Sequence, residues 1–171
     1  MMIIHELHQF EDGLRPAQPS SGHEWDGEKW QLSAGRVAEL ELQEAERLCA
    51  KVDAAADNAR NALAGDPLKA MEYAQAAADA QAFQDASYPK KEVPLSVAAW
   101  VVKGRTAKQA AEQILGKADQ LTDHLLTLRT LRLKAKAQIR TQAGQGNSSL
   151  ARIAADEALA AIRALTVRVC D

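Results

Sequence analysis

Aromatic side chains are scarce in this chain. Three Trp, two Tyr and two Phe make up 4% of its 171 residues. Large rings dominate burial per residue, so a core built here must come from aliphatic side chains, and alanine supplies about half of them. Alanine buries little area, and at about 25 cal/mol per Å² of apolar surface the resulting core is thin for its length. The sequence therefore predicts that an oligomer or a partner supplies further burial. Cysteine is nearly absent. Cys49 and Cys170 are far apart and form no C-x-x-C pair, which argues against a disulfide framework and predicts two unpaired thiols in a reducing compartment. Charge of one sign is not in excess: the net charge of −2 gives no global drive toward nucleic acid or an anionic membrane. No apolar run approaches the roughly 18 residues of a membrane span. Met1 to Phe10 lacks a basic start followed by a long apolar run, so no secretion signal is expected, and the reading is of a soluble protein made in a cytoplasm.

Motifs of known chemistry are missing as well. There is no G-x-S-x-G, P-loop, G-x-G-x-x-G or H-E-x-x-H. Gly144-Gln145-Gly146 follows a predicted helix instead of a strand, which is the wrong context for a dinucleotide. His5 and His8 are three apart, while His23 and His124 stand alone. A metal site needs three or four convergent ligands, so neither metal nor cofactor is expected, and none of the criteria for a catalytic site is met. Glu39, Glu41, Glu44 and Glu46 read as the solvated face of a helix. Arg129, Arg132, Lys134, Lys136 and Arg140 form a local basic patch, with no acidic residue between Asp123 and Asp156. No aromatic residue interleaves with it, so base stacking is unsupported. The better reading is that these cations complement the end of a helix and pair with the acidic helix before it.

What the chain does have is helical pattern. Thr106 to Gln142 reads as one long helix. Ile114, Ala118, Leu121, Leu125, Leu128, Ala135 and Ile139 recur at alternating four-and-three spacing, a single apolar seam that only Arg132 breaks. Thr106 with Gln109 has the capping-box form, and Gly144 and Gly146 lie where a stop belongs. A second long helix runs from about Gly35 to Leu63, with Val37, Leu40, Ala45, Leu48, Val52, Ala55, Ala59 and Ala62 at near-heptad spacing. Asp66-Pro67 starts a third, since a carboxylate caps and proline fits the first helical position. It should reach about Phe83 with Met71, Ala74, Ala78 and Ala82 inward. Pro94 to Lys103 is predicted as a short helix with Val97, Trp100 and Val101 on one side. Ala143 to Ser149 is predicted as a flexible joint. Ser148 then caps a last helix to about Leu165, with Leu150, Ile153, Ala154, Ala161 and Leu165 inward. Thr166 to Val169 is β-branched and alternating, either a terminal strand or a frayed end.

The first 34 residues differ. Met1 to Phe10 carries Ile3, Ile4, Leu7 and Phe10 and reads as a short strand. Glu11-Asp12-Gly13 reads as a turn, and Arg15 to Gly22, with two prolines, as a linker. Asp26-Gly27 between Trp25 and Trp30 is a strong hairpin signal. The fold class is therefore mainly α: long helices in a bundle or coiled-coil-like assembly with a small N-terminal β-hairpin module. The division is 1–34 for that module, 35–142 for the helical body, and 143–171 for a joint, last helix and tail.

Two stretches carry a resemblance. The strand, the proline linker and Trp25-Asp26-Gly27-Glu28-Lys29-Trp30-Gln31-Leu32 resemble the start of tailed-bacteriophage tail-fibre-region proteins, tail-fibre assembly proteins included. Met71 to Ile139 resembles a small helical domain of phage tail proteins. It runs through Tyr88-Pro89, Val93-Pro94-Leu95-Ser96-Val97-Ala98-Ala99-Trp100, Gly104-Arg105-Thr106-Ala107 and Leu131-Arg132-Leu133-Lys134-Ala135-Lys136. The chain departs from that pattern in its short N-terminal module, its helix from Gly35 to Leu63 and its extra helix after Gly146. The resemblance implies a virion structural protein of the tail tip, linking or supporting tail fibres at the baseplate by contact and not by catalysis. It would be made in the host bacterial cytoplasm and sit in the tail as a homo- or hetero-oligomer with fibre or baseplate proteins. The alternative it implies is an assembly chaperone that binds the fibre transiently and is absent from the mature particle. The residues predicted to meet a partner are Trp25, Trp30, Ile114, Leu121, Leu125 and Leu128.

Overall fold

The structure is a computed structural model that describes residues 7–11, 13–102 and 104–170, with side chains through Thr166. The fold is mainly α. Two antiparallel hairpins, β1 (Leu7–Phe10) with β2 (Gly13–Pro16) and β3 (His23–Trp25) with β4 (Trp30–Leu32), precede five helices. These are α1 (Ala34–Ala64), α2 (Pro67–Asp85), α3 (Leu95–Ala98), α4 (Ala107–Gly144) and α5 (Ser148–Cys170). Of the strand predicted over Met1 to Phe10, Leu7–Phe10 is β1, and the part with Ile3 and Ile4 lies outside the described residues.

Helix boundaries follow local chemistry. Ser33 caps α1 by accepting from the Arg36 amide, and Gly65, at φ +63°, ends it. The Asp66 carboxylate accepts from the Leu68 amide, with Pro67 opening α2. Thr106 and Gln109 form the reciprocal capping box on α4. The predicted joint after α4 is instead a tight turn. Asn147 donates its amide to the Gln142 carbonyl at 2.9 Å and Gly146 to the Ala143 carbonyl at 3.0 Å. With Gly146 at φ +75° this is a Schellman stop. The Asn147 carbonyl then accepts from the Ala151 amide, so the last helix starts from Asn147 and not from a Ser148 cap. The segment Thr166–Val169 is helical, the closing turn of α5, and not a strand. There the already formed helix outweighs the β preference of three branched residues.

The 38 residues of α4 span about 57 Å at 1.5 Å per residue. Two separate cores share this helix. Its C-terminal half buries Leu128, Ala135 and Ile139 against Ala45, Leu48, Cys49, Val52, Ala56 and Ala59 of α1 and Ala151, Ala155, Ala158 and Ile162 of α5. Its N-terminal half buries Ala110 and Ala111 against Ala80 and Phe83 of α2 and Val97 of α3, with Ile114, Leu115, Tyr88 and Val93 packed around them. Between the two cores, Ala118, Leu121 and Leu125 are only half-covered.

Alanine-rich faces made three inward faces misleading. On α2 the buried residues are Ala80 and Phe83, while Met71 is 70% exposed and Ala74, Ala78 and Ala82 also face solvent. Alanines surround that helix on nearly every side, so apolar spacing cannot choose a face. On α5 Leu150 and Ile153 are exposed, and the buried stripe is Ala151, Ala155, Ala158 and Ile162. On α1, Val37, Leu40 and Ala62 are exposed: Val37 and Leu40 precede the first buried position, Ala45, and Ala62 lies beside Leu63, which is the residue that packs on the core. The short α3 covers only Leu95–Ala98; Val97 is buried, whereas Trp100 and Val101 are 42% and 40% exposed.

Ile139 and Leu126 make a paired test, since Ile139 is fully buried and Leu126 is 56% exposed on the same helix. Ile139→Ala is expected to lower unfolding free energy by about 2–5 kcal/mol, and Leu126→Ala by less than about 0.5 kcal/mol. Urea denaturation followed by circular dichroism measures both.

Candidate interaction sites

The basic patch of α4 is mostly engaged inside the chain. Asp53 of α1 accepts from Lys136 Nζ at 2.5 Å and from Arg132 at 3.2 Å. One heptad away, Glu46 accepts from Arg140 Nε at 3.2 Å. These pairs set α1 and α4 antiparallel. Glu44 accepts from Arg47 on its own helix and from Arg152 of α5. The interruption of the seam at Arg132 is thus explained: the guanidinium leaves the apolar row to meet Asp53. Burial alone would raise the Asp53 carboxyl, but Lys136 and then Arg132 outweigh it and hold it below the ordinary aspartate value. Glu44 is held down to about 2, chiefly by its hydrogen bond from Arg47.

The hairpins form their own small aromatic cluster. Trp25 and Trp30 are a directly opposed cross-strand pair, with ring centroids 5.4 Å apart. Phe10 lies 5.5 Å from Trp30. The Arg15 guanidinium sits 4.3 Å from the Phe10 centroid, 5.0 Å from Trp30 and 5.3 Å from Trp25. Three rings around one cation are a cation–π assembly. Trp30 Nε1 donates to the Pro16 carbonyl at 2.7 Å, joining the two hairpins. The β3–β4 turn is closed by Asp26, whose carboxylate accepts from the Glu28 and Lys29 amides, and by Gly27 at φ +107°. The Arg15-to-Gly22 segment, predicted as a linker, is therefore partly strand β2. Neither hairpin packs broadly on a helix. The module is tied to α1 where Ser33 donates its amide to the Gly22 carbonyl at 2.9 Å, with the Arg36 side chain close against Gly22.

The residues predicted to meet a partner are not brought together. Trp25 and Trp30 belong to the β module, facing each other and Arg15. Ile114 packs at the edge of the α2–α3–α4 core. Leu121 and Leu125 are half-exposed in the gap between cores, and Leu128 is fully buried in the chain's own bundle. A partner can reach Leu121 and Leu125 on this seam, but not Leu128.

A second cluster, around Trp100, was not singled out from sequence. Its indole NH donates to Gln113 Oε1 at 3.3 Å. Lys117 Nζ lies 4.9 Å from its ring centroid and the Arg105 guanidinium 5.7 Å. Lys108 lies 5.2 Å from the Tyr88 ring, which in turn meets Phe83 edge-on at 5.4 Å. Leu95, Val101 and Val102 are exposed beside them. The available signal was the density of cations around Tyr88 and Trp100, which is spread over a loop and a helix start and so reads as no single periodic face.

Two shallow depressions of the surface are open to solvent. One is lined by Gly104, Arg105, Gln109, Glu112 and Gln113, the other by Asp123, Leu126, Thr127, Thr130, Leu131 and Lys134. Among the described residues no three His, Cys, Asp or Glu side chains converge as metal ligands, and no helix is long and apolar enough to cross a membrane.

Two predictions follow from this geometry. A carboxylate whose folded pKa is depressed stabilises the fold above its unfolded value and loses that effect as pH falls through the folded one. Asp53→Asn should cost about 1 kcal/mol at neutral pH, and its difference from the parent should shrink as pH falls below the ordinary aspartate value of 3.8. Urea midpoints across that range measure it. Separately, Trp30→Ala should abolish the near-ultraviolet signal of the Trp25–Trp30 pair while leaving the helical far-ultraviolet signal and its melting unchanged. A joint loss of both would place the module within the helical core.

Comparison of the chain with family models, curated proteins and solved structures gave no match.

Proposed function

We propose that this chain is a structural protein of a bacteriophage tail tip, linking or supporting tail fibres at the baseplate through protein–protein contacts. The observation that carries the reading is the arrangement of contact elements along α4. A self-contained aromatic module stands at one end and an exposed cluster of Trp100, Leu95, Val101 and Val102 at the other, held apart by one continuous helix. Such an arrangement suits a spacer between two partners, because each end packs separately and the helix keeps their distance. The Trp hairpin resembles the start of tail-fibre-region proteins and the Met71-to-Ile139 motifs resemble a helical domain of phage tail proteins, which supports the same reading. Its action is contact and not catalysis, with fibre or baseplate proteins as partners and the virion tail as its place.

A specific observation favours a second reading, that of a tail-fibre assembly chaperone. The C-terminal half of the α4 seam is closed by α1 and α5 within one chain, with Leu128 and Ile139 fully buried. A chain that completes its own core has less need of an obligate oligomer, and its exposed patches then suit transient capture.

Peptide mass spectrometry of purified mature particles, set against crude lysate, separates the two. Stoichiometric presence in particles is the expected result. Presence only in lysate, in complex with fibre protein, would assign the chaperone role, and absence from both would remove the phage reading.

A further inference from the structure

Charge is distributed unevenly along the molecule. Residues 11–33 hold five carboxylates and two cations, whereas residues 88–117 hold six cations and two carboxylates. These regions lie at opposite ends. The Glu46–Arg140 pair places the N-terminal part of α1, and the module attached to it, at the C-terminal end of α4. The Trp100–Gln113 hydrogen bond places the cationic cluster near the start of α4. From Gln113 to Arg140 is about 40 Å along a helix, so the module cannot reach the cationic cluster of its own chain.

Both ends combine charge with exposed apolar side chains. On the module, Glu11, Glu24 and Glu28 are exposed, and among the described residues none of them is in an ion pair; Leu7, Leu14 and Leu32 are exposed with them. Asp26 is already used by its own turn. On the other end, Lys90 and Lys91 are exposed, and Leu95 is 86% exposed, with Val101 and Val102 exposed beside it. The carboxylates near this surface are mostly committed. Glu112 pairs with Lys108 at 3.8 Å, Asp79 accepts from Ser96 and Gln75, and Asp85 accepts from Gln81; Glu92 remains exposed.

We propose that the cationic, aliphatic surface formed by α3, its flanking loops and the start of α4 is the docking site for the acidic β module of a second copy of this chain. The contact is heterologous and head-to-tail, since the two surfaces are different and lie at opposite ends. Complementary charge steers the encounter, and the leucines of the module cover the exposed aliphatic side chains. Nucleic acid fits this surface less well. Arg105 and Lys117 already lie over the Trp100 ring, and Leu95, Val101 and Val102 offer a phosphate backbone nothing. The inference does not rest on the phage reading, because pure protein tests it without any particle.

Sedimentation velocity of the full chain is the experiment, run over a range of concentrations at about 25 mM and about 500 mM salt, where screening lengths differ several-fold. Concentration-dependent association at low salt that is lost at high salt is expected. Lys90→Glu with Lys91→Glu, and separately Glu24→Lys with Glu28→Lys, should each weaken association roughly tenfold or more. An equimolar mixture of the two variants should regain it, because each then meets its opposite charge. Leu95→Asp should weaken association through the same surface, and far-ultraviolet circular dichroism should match the parent for all three. A parent that stays monomeric at low salt would overturn the proposal. So would association that ignores these changes but is lost in Leu121→Asp with Leu125→Asp, or a surface that binds single-stranded oligonucleotide without self-association.

Discussion

Alanine sets the distance at which these helices meet. In the bundle of α1, α4 and α5, seven of the buried positions are alanine: Ala45, Ala56, Ala59, Ala135, Ala151, Ala155 and Ala158. A methyl side chain lets backbones approach closely, but it contributes little buried area. Each layer therefore needs a larger neighbour to fill the remaining space, and Leu48, Val52, Leu128, Ile139 and Ile162 serve that purpose. The second core repeats the scheme, with Ala80, Ala110 and Ala111 around Phe83 and Val97. Neither core is large, and both depend on α4 as a common wall. The length of α4 follows from this: one helix must reach through two small cores in succession.

Close helix approach leaves register poorly specified, because one alanine is much like another. The ion pairs between α1 and α4 supply what the alanines lack. Asp53 between Arg132 and Lys136, with Glu46 on Arg140, admits one antiparallel alignment and leaves others with unpaired charge. The gain in stability from partly exposed pairs is small, but a misaligned helix would juxtapose Arg132 with the apolar row of α1. Specificity of alignment is the better explanation for placing a cation in the seam. The same pairs consume most of the patch and leave little of it for a polyanion.

How much of this was legible in the sequence depends on whether the signal was local. Thr106 with Gln109, Asp66-Pro67, and Asp26-Gly27 between tryptophans act over a few residues, and each forms as its spacing implies. The extent of α1 and α4 was legible for the same reason. Facing was not. Met71 and Ala78 occupy plausible inward positions on α2, yet Ala80 and Phe83 are buried, because the partner that selects the face is the distant Ala110–Ala111 pair. The turn at Gly146 was hidden by composition: Gly, Asn and Ser suit a flexible joint and a Schellman stop equally, and only the bonds back to Gln142 and Ala143 distinguish them. Of the candidate contact residues, the pairing of Trp25 with Trp30 was legible from the hairpin. The role of Arg15 was not, because it depends on how two hairpins fold over each other.

The two ends of the molecule differ in how they treat cation and ring. In the module, Arg15 is enclosed by Phe10, Trp25 and Trp30, and these groups satisfy one another. At the start of α4, Arg105 and Lys117 lie over one ring, Trp100, on a surface where aliphatic side chains remain open. The first arrangement is closed and stabilises a small fold that meets α1 only narrowly, at Gly22. The second holds two cations against one ring beside uncovered apolar area. A net charge near zero conceals this difference, since the surplus carboxylates of one end and the surplus cations of the other cancel only in the sum. Their separation of about 40 Å along α4, several screening lengths at physiological salt, keeps the two surpluses from neutralising each other within one chain.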